Sequence, residues 1–328
     1  MSNQYNMKSL YLIDSKRISA NISNHTSKPV NLTSLQYLLQ SNHCQKHKKE
    51  FLAIIMIKST VNNTMKRMSH RQSKSQKELA DLGLQRIFLL GEVAPMMSNI
   101  NQTTLQLEHD TYGDLVQGSF QDTYQNLSYK MWMGLDWTSS ECKNAKFIIN
   151  MDDDVVYDIY YIINYLKNFF RISLKLAISD ELLIGQVLTN KASRNTKLKW
   201  YVTHDEYAKH SYPLYVAGWF YITNPLTAAR LAKEAIQTPF FWIDDIWMTG
   251  IVRERLQIPL QTIYSWFTYK NSQLKRCIED VKEFQYFCDY KVGPNNKEPN
   301  FLYIYQNYMK ICSEGKCKQR PAAITPNA

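Results

Sequence analysis

The sequence predicts an α/β protein whose sheet carries helices on both faces, and three observations lead there. Strand-length apolar runs occur at residues 51–57, 86–90 and 146–151. Between them, apolar residues recur at steps of three and four, the period of a helix burying one face. One of these runs ends in three consecutive carboxylates, Asp152, Asp153 and Asp154. In such sheets ligands bind beyond the carboxyl ends of the strands, so the triplet marks the functional end.

Taken in order, residues 1–49 are rich in Asn, Ser and Lys, lack a sustained apolar period, and read as a stem-like flexible segment outside the core. The folded domain is expected over residues 50–320. Residues 51–57 suit a first buried strand of a parallel sheet. Met65, Met68, Leu79 and Leu82 suit a helix over residues 62–84 ended by Gly83. A strand follows at 86–90, a short one at Leu115 and Val116, and a helix with Leu127, Met131 and Leu135 on one face. After the strand that ends in the triplet, Val156, Ile159, Ile163, Leu166 and Phe170 predict a helix over 155–176. Strands are expected near 182–188 and 220–222, and a helix over 225–236. A second acidic pair, Asp244-Asp245, stands where another helix opens. The tail from Trp266, rich in Tyr, Lys and Cys, carries no ordered pattern.

Composition narrows the function. The chain has 328 residues, 45% hydrophobic and 13% aromatic, enough for a sizeable core. The net charge of +10 is concentrated in residues 1–77, where thirteen Lys and Arg stand against only Asp14 and Glu50. The remainder is nearly neutral, which excludes a broad phosphate-binding face and a nucleic-acid partner. No apolar run reaches the eighteen or so residues of a bilayer span, and no signal-peptide pattern is present. Six N-x-S/T sequons, at Asn21, Asn24, Asn31, Asn62, Asn101 and Asn126, instead hint at a lumenal chain. The six cysteines lack the spacing and His partners of a zinc site. They permit fifteen pairings, of which Cys277 with Cys288 is the local choice.

Two acidic clusters divide labour naturally in sugar transfer from a nucleotide diphosphate. A cap needs one carboxylate; three together suit a hard metal that stabilises the departing diphosphate. Asp152 and Asp154, two apart, can share that ion. A separate carboxylate must take the proton of the attacking hydroxyl, and Asp245, with Asp244 as substitute, is the candidate base. The bland alternative for this pair is a helix cap. Trp242 and Trp247, with neighbouring phenylalanines, form a candidate sugar platform, although aromatic residues more often fill cores. Arg67 and Arg71, one helical turn apart, can reach a nucleotide or phosphate, or simply line a solvated face. His109, His204 and His210 read as ordinary surface or core histidines.

Ordered blocks then resemble the β-1,3-galactosyl- and β-1,3-N-acetylglucosaminyltransferases of glycosyltransferase family 31. Lys66 to Ser73 resembles the family's R-R-x-x-I-R-x-T pattern. Glu108 to Lys130 resembles its long E-x-x-x-Y-x-D-I-I block. Trp137, Cys142 and Lys146 lead into the D-D-D-V signature at Asp152 to Val155. Tyr212-Pro213, Tyr215, Gly218 and Tyr221 form a further block, and Ile243-Asp244-Asp245 resembles the I-D-D form of the E-D-V motif.

The resemblance implies a GT-A type, Rossmann-like mixed sheet flanked by helices in a single catalytic domain. It implies inverting transfer of galactose or N-acetylglucosamine from a UDP-sugar, with Mn²⁺, to a glycan acceptor on protein or lipid. Asp154 becomes the direct metal ligand, with Asp152 and Asp153 near metal, ribose and donor sugar. Asp245 takes the base position, and Tyr215 and Gly218 join Trp242 and Trp247 at the acceptor. Cys142 occupies a family cysteine position, which favours disulfides. The family's location is the Golgi membrane, reached through an N-terminal signal-anchor that this sequence does not display. Lys74, Asp158 and Trp219 depart from the family pattern, and no histidine follows His210 to serve as a C-terminal metal ligand. A catalytically degenerate glycan- or partner-binding relative is the alternative.

Overall fold

A computed structural model describes residues 32–46, 49–93, 100–176, 180–298 and 300–321. Sequons Asn21, Asn24 and Asn31, and the expected stem up to residue 31, lie outside the described residues. The strands are β1 (Tyr37–Leu39), β2 (Phe51–Lys58), β3 (Leu84–Glu92), β4 (Leu115–Gln121), β5 (Ala145–Asp152), β6 (Val155–Tyr157), β7 (Leu183–Leu188), β8 (Tyr215–Thr223), β9 (Gln261–Thr262) and β10 (Val292–Pro294). Eight of them form one sheet in the order β1-β4-β3-β2-β5-β8-β7-β9. Its centre is parallel, with β2 pairing β3 and β5, while β8 runs antiparallel to β5 and β7. The expected mixed α/β sheet flanked by helices is therefore present.

Alternation along the strands separates two cores. Ala53, Ile55 and Ile57 of β2 and Phe147, Ile149 and Met151 of β5 face one layer, with Ile159, Ile162 and Leu166 of the helix Ile159–Leu176. Ile54, Met56 and Ile148 face the other, which holds the helices Leu127–Glu141 and Pro225–Ala235 and the π-helical stretch Ile246–Val252. The period of two then dictates that Lys58 and Asp152, at the carboxyl ends of β2 and β5, belong to the second layer. That is the layer from which Asp244 and Asp245 approach.

Several boundaries differ from expectation. Residues 32–46 were expected outside the core, yet β1 pairs with β4 and Leu32, Leu39 and Cys44 are buried. The disulfide Cys44–Cys142 ties them to the end of the helix Leu127–Glu141, a long-range link that local composition does not encode. The helix expected over 62–84 is two, Thr64–Ser73 and Gln76–Asp81. The break falls at extended Lys74, after which Ser75 and Glu78 form a reciprocal capping box that starts the second helix. Residues 155–157 are strand rather than helix, because β6 pairs with β10 from the C-terminal segment. The helix starts at Ile159, where Asp158 accepts the Tyr161 N–H at 3.0 Å.

That C-terminal segment is ordered by the helices Asn271–Phe284 and Phe301–Ile311 and by the disulfides Cys277–Cys288 and Cys312–Cys317. It also closes on the acidic turn, since the Asn295 N–H bonds to the Asp154 carbonyl at 2.9 Å. On the other side of the turn, a buried ion network fixes the helix Thr64–Ser73. Arg67 takes Glu108 in two bonds of 2.7 and 2.6 Å, and Arg71 takes Asp114 in two of 3.0 and 2.6 Å. Arg71 also reaches Glu108 at 2.8 Å and lies 3.9 Å over the Tyr112 ring.

Removing one member of such a network strands the opposite charges in a poorly solvating interior. Arg71→Met is expected to cost about 3–5 kcal/mol of folding stability, because Asp114 loses its close cation while Glu108 keeps Arg67. Urea denaturation followed by circular dichroism measures it. A loss below about 1 kcal/mol, the range of exposed pairs, would show that the network is solvated in solution.

Candidate active site

Parallel pairing sets Lys58 directly opposite Asp152. The Lys58 ammonium lies 3.1 Å from Asp152 and 2.7 Å from Asp244, so a single buried cation joins the two acidic clusters. Burial alone lowers a lysine pKa, but Asp152 and Asp244 together outweigh it and raise Lys58 above its ordinary value. No sequence reading singled out Lys58. The available signal was a lysine closing an otherwise apolar strand, which needs buried partners to be tolerated there.

The three aspartates of the turn have separate environments. Asp153 points inward with its side chain 6% exposed, held by Ser59 Oγ at 2.7 Å, Asn63 Nδ2 at 2.8 Å and Lys66 Nζ at 2.7 Å. Its carbonyl meets His70 Nε2 at 3.1 Å. Asp152 and Asp154 remain open, at 39% and 58% side-chain exposure. Lys66 approaches Asp154 only to 3.5 Å. Lys130 braces this corner from below, pairing with Asp122 at 2.5 Å and donating to the Ser59 carbonyl.

Asp245 sits at the opening of the stretch Ile246–Val252. Its Oδ1 accepts the Ile246 N–H at 2.8 Å and its Oδ2 accepts the Gly218 N–H at 3.1 Å. Gly218 makes that approach close, because a Cβ there would stand 3.0 Å from the Asp245 Cβ and push it back. Burial first, and adjacent Asp244 second, push the Asp245 carboxyl up to about 7. The pair therefore has both properties weighed for it: Asp245 caps the helix, and its acidity lies near neutrality, where a general base works best.

Across the cleft, Lys199 lies 3.8 Å over the Tyr124 ring, and Trp200 Nε1 donates to the Tyr124 hydroxyl at 2.8 Å. Burial lowers the Lys199 pKa, while Asp152, Asp154 and Asp244 act to hold its charge. Trp242 meets Tyr124 edge-on at 6.1 Å. Arg194 organises the loop that carries Lys199 and Trp200, donating to the carbonyls of Val202, Thr203, Tyr207 and Lys209.

With this geometry in place, the comparisons fall into one group. Residues 65–263 match the model of the family described as galactosyltransferase. The chain belongs to the galactosyltransferase family.

A Xenopus tropicalis lactosylceramide 1,3-N-acetyl-β-D-glucosaminyltransferase is 28% identical over 264 residues, covering 77% of this chain and 68% of the relative. A human N-acetyllactosaminide β-1,3-N-acetylglucosaminyltransferase is 32% identical over 64% of this chain and 51% of the relative. A Drosophila melanogaster β-1,3-galactosyltransferase is 29% identical over 63% of this chain and 61% of the relative. The chain thus spans about half to two thirds of these glycosyltransferases. Among solved structures, the galactosyltransferase LgtC is similar over 82% of this chain at 10% identity and a TM-score of 0.38, too distant to guide the reading.

In this galactosyltransferase-family chain the structure brings Asp152, Asp154, Asp244, Asp245 and Gly218 together and sets other expected site residues aside. Arg67 and Arg71 are buried and committed to Glu108 and Asp114, so neither faces a nucleotide. Trp247 is fully buried and donates to the Pro239 carbonyl at 3.0 Å, which makes it core rather than platform. Tyr215 is buried as well, its hydroxyl accepting from Asn190 Nδ2 at 2.5 Å. Asp153 is turned away from the cleft. Of the aromatic candidates, Trp242 and its neighbour Phe240 stay half-buried.

Lys58→Met leaves Asp244 buried without its cation and is expected to cost about 3–5 kcal/mol. Asp244→Asn in the same chain removes the stranded charge, so a double-mutant cycle in urea should return a coupling above about 1 kcal/mol. Additive effects would mean that the bridge carries no stability.

Proposed function

We propose that the chain is a UDP-sugar-dependent β-1,3-hexosyltransferase that moves galactose or N-acetylglucosamine to a glycan hydroxyl by single, inverting displacement. The observation that carries this reading is the pairing of an open carboxylate turn, Asp152 and Asp154, with a near-neutral carboxylate, Asp245, around one buried lysine. The relatives, named for transfer of N-acetylglucosamine or galactose in β-1,3 linkage, support the substrate class.

Among the described residues no three His, Cys, Asp or Glu side chains form a closed metal cage. Asp152 and Asp154 instead offer two oxygen donors on an exposed turn. That donor set would suit Mn²⁺ or a similar hard cation, which binds through oxygen. When bound, the cation supplies stabilisation of the charge that develops on the departing diphosphate. Lys58 holds Asp152 in place, and Lys66 with Ser59 and Asn63 holds Asp153 inward, so Asp152 and Asp154 would be the residues to hold it. Asp245 accepts the proton of the acceptor hydroxyl as its oxygen bonds to the sugar carbon and the bond to the diphosphate oxygen breaks.

A lumenal, Golgi-type location accords with the three disulfides and with the exposed sequon asparagines Asn62 and Asn101. Among the described residues no helix is long and apolar enough to cross a membrane.

Transfer from UDP-galactose or UDP-N-acetylglucosamine should require Mn²⁺, and Asp154→Ala should remove it while the fold survives. Retained UDP binding by calorimetry without turnover in the wild type would instead identify a degenerate binder. The pH profile gives a further check. Asp245 must be ionised to act, so kcat/KM should rise through about pH 7 and then level off. The sign for stability is opposite, because a carboxyl raised on folding loses stability as pH rises through its folded value. Asp245→Asn should therefore abolish transfer and shift Tm upward more at pH 8 than at pH 5, read by calorimetry.

A further inference from the structure

Gly218, whose N–H binds Asp245, falls outside both ladders of its strand. Pairing of β8 with β5 ends at Met151 with Phe220. Against β7, the pairs Gly185 with Tyr221 and Val187 with Val216 leave residues 217–220 bulged opposite Gln186. Bulges re-aim a strand and terminate its pairing. The Gly218 carbonyl is taken by a side chain instead, Asn150 Nδ2 of β5, at 2.9 Å. Asn150 is fully buried, and alternation places it in the layer of Ile148 and Asp152. Only the N–H side of its amide can face a carbonyl, so the other side turns away, and Oδ1 has no hydrogen-bond partner among the described residues. An orphaned buried acceptor is costly, and an apolar residue of the same size would avoid that cost. Stability therefore explains Asn150 poorly, and the bond its donor makes explains it well.

Glycine has the least restrained backbone of any residue, so nothing in residue 218 itself fixes where its N–H points. The helix end opposite is already fixed: Thr249 Oγ1, fully buried, lies 2.7 Å from the Asp245 carbonyl and 3.0 Å from that of Val216, and accepts the Val216 N–H at 3.1 Å. What remains free to turn is Gly218, and Asn150 anchors its carbonyl side. We propose that Asn150 is a positioning residue for the base, holding the backbone at Gly218 so that its N–H stays on the Asp245 carboxylate. The catalytic consequence rests on the reading of Asp245 as base; the structural link does not. The charged and titratable groups facing Asp245 are Asp244 beside it, Lys58 on β2, Tyr215 and Tyr221 on β8, Tyr212 just before that strand, and Tyr124 across the cleft. Substitution at 150 adds or removes none of these charges.

The test uses the full chain carrying Asn150→Leu, which removes the donor and the orphaned acceptor together, with Asn150→Ala as the smaller change should leucine not fit. Asn150→Leu should keep or raise Tm, yet lower kcat/KM roughly tenfold with the KM for UDP-sugar unchanged. A bond that favours the ionised carboxylate is lost, so the acidic limb of the kcat/KM profile should move to higher pH, by roughly half to one pH unit. Carboxyl carbon NMR of labelled aspartates, with Asp245→Asn to assign the signal, reads the same titration without turnover. Slower transfer that tracks a fall in Tm, with the acidic limb unmoved, would make Asn150 merely structural and overturn the proposal, as would unchanged kinetics in both variants. A wild type that transfers nothing, while Asn150→Leu still moves the Asp245 titration, would end the transferase reading and leave the positioning role standing. An active wild type whose Asp245 titrates identically in both variants would do the reverse.

Discussion

The site depends on one buried ammonium. Asp152, Asp153, Asp154, Asp244 and Asp245 converge from two distant parts of the chain, and carboxylates that close repel strongly wherever water is excluded. Lys58, between Asp152 and Asp244, makes the convergence tolerable at the point where the two clusters meet. Its position is not adjustable. Register places it opposite Asp152, alternation turns it towards the layer that carries Asp244, and the parallel centre of the sheet brings both strand ends to the same edge.

A second lysine then separates the roles within the triplet. Lys66, with Ser59 and Asn63, draws Asp153 inward, so three adjacent residues of one type become one structural anchor and two open carboxylates. The helix that supplies Lys66 is held by Arg67 and Arg71 on Glu108 and Asp114. Those arginines matter to the site through that helix, which also brings His70 against the Asp153 carbonyl. Arginine placed for a phosphate and arginine placed for a buried carboxylate look alike in sequence, because both are one helical turn apart. What distinguishes them is the presence of Glu108 and Asp114 some forty residues away, a tertiary fact.

Much of the frame was legible from period and punctuation. The apolar runs became β2, β3 and β5, the triplet stands at the end of β5, and Asp244-Asp245 opens the stretch Ile246–Val252. The errors share a cause, which is dependence on partners far along the chain. Val155 to Tyr157 fits a helical period, yet β10 claims it as strand. Residues 32–46 look like stem, yet Cys142 and β4 claim them. Trp247 looks like a sugar platform, yet the packing of Ile246–Val252 on the sheet buries it. Lysine in an apolar strand carries no local meaning without its acids, and those of Lys58 lie 94 and 186 residues on, at Asp152 and Asp244.

The contact between Gly218 and Asp245 ties acidity to packing. Two backbone N–H bonds favour the ionised carboxylate, while burial and Asp244 oppose it, and the balance lies near neutrality. Burial that raises Asp245 depends on close packing by β8, which the missing side chain of Gly218 makes easy. The next residue of the strand turns to the opposite layer, where Trp219 stacks on Tyr269 and packs with Phe267. The acidity of Asp245 is thus set where one strand meets one helix end.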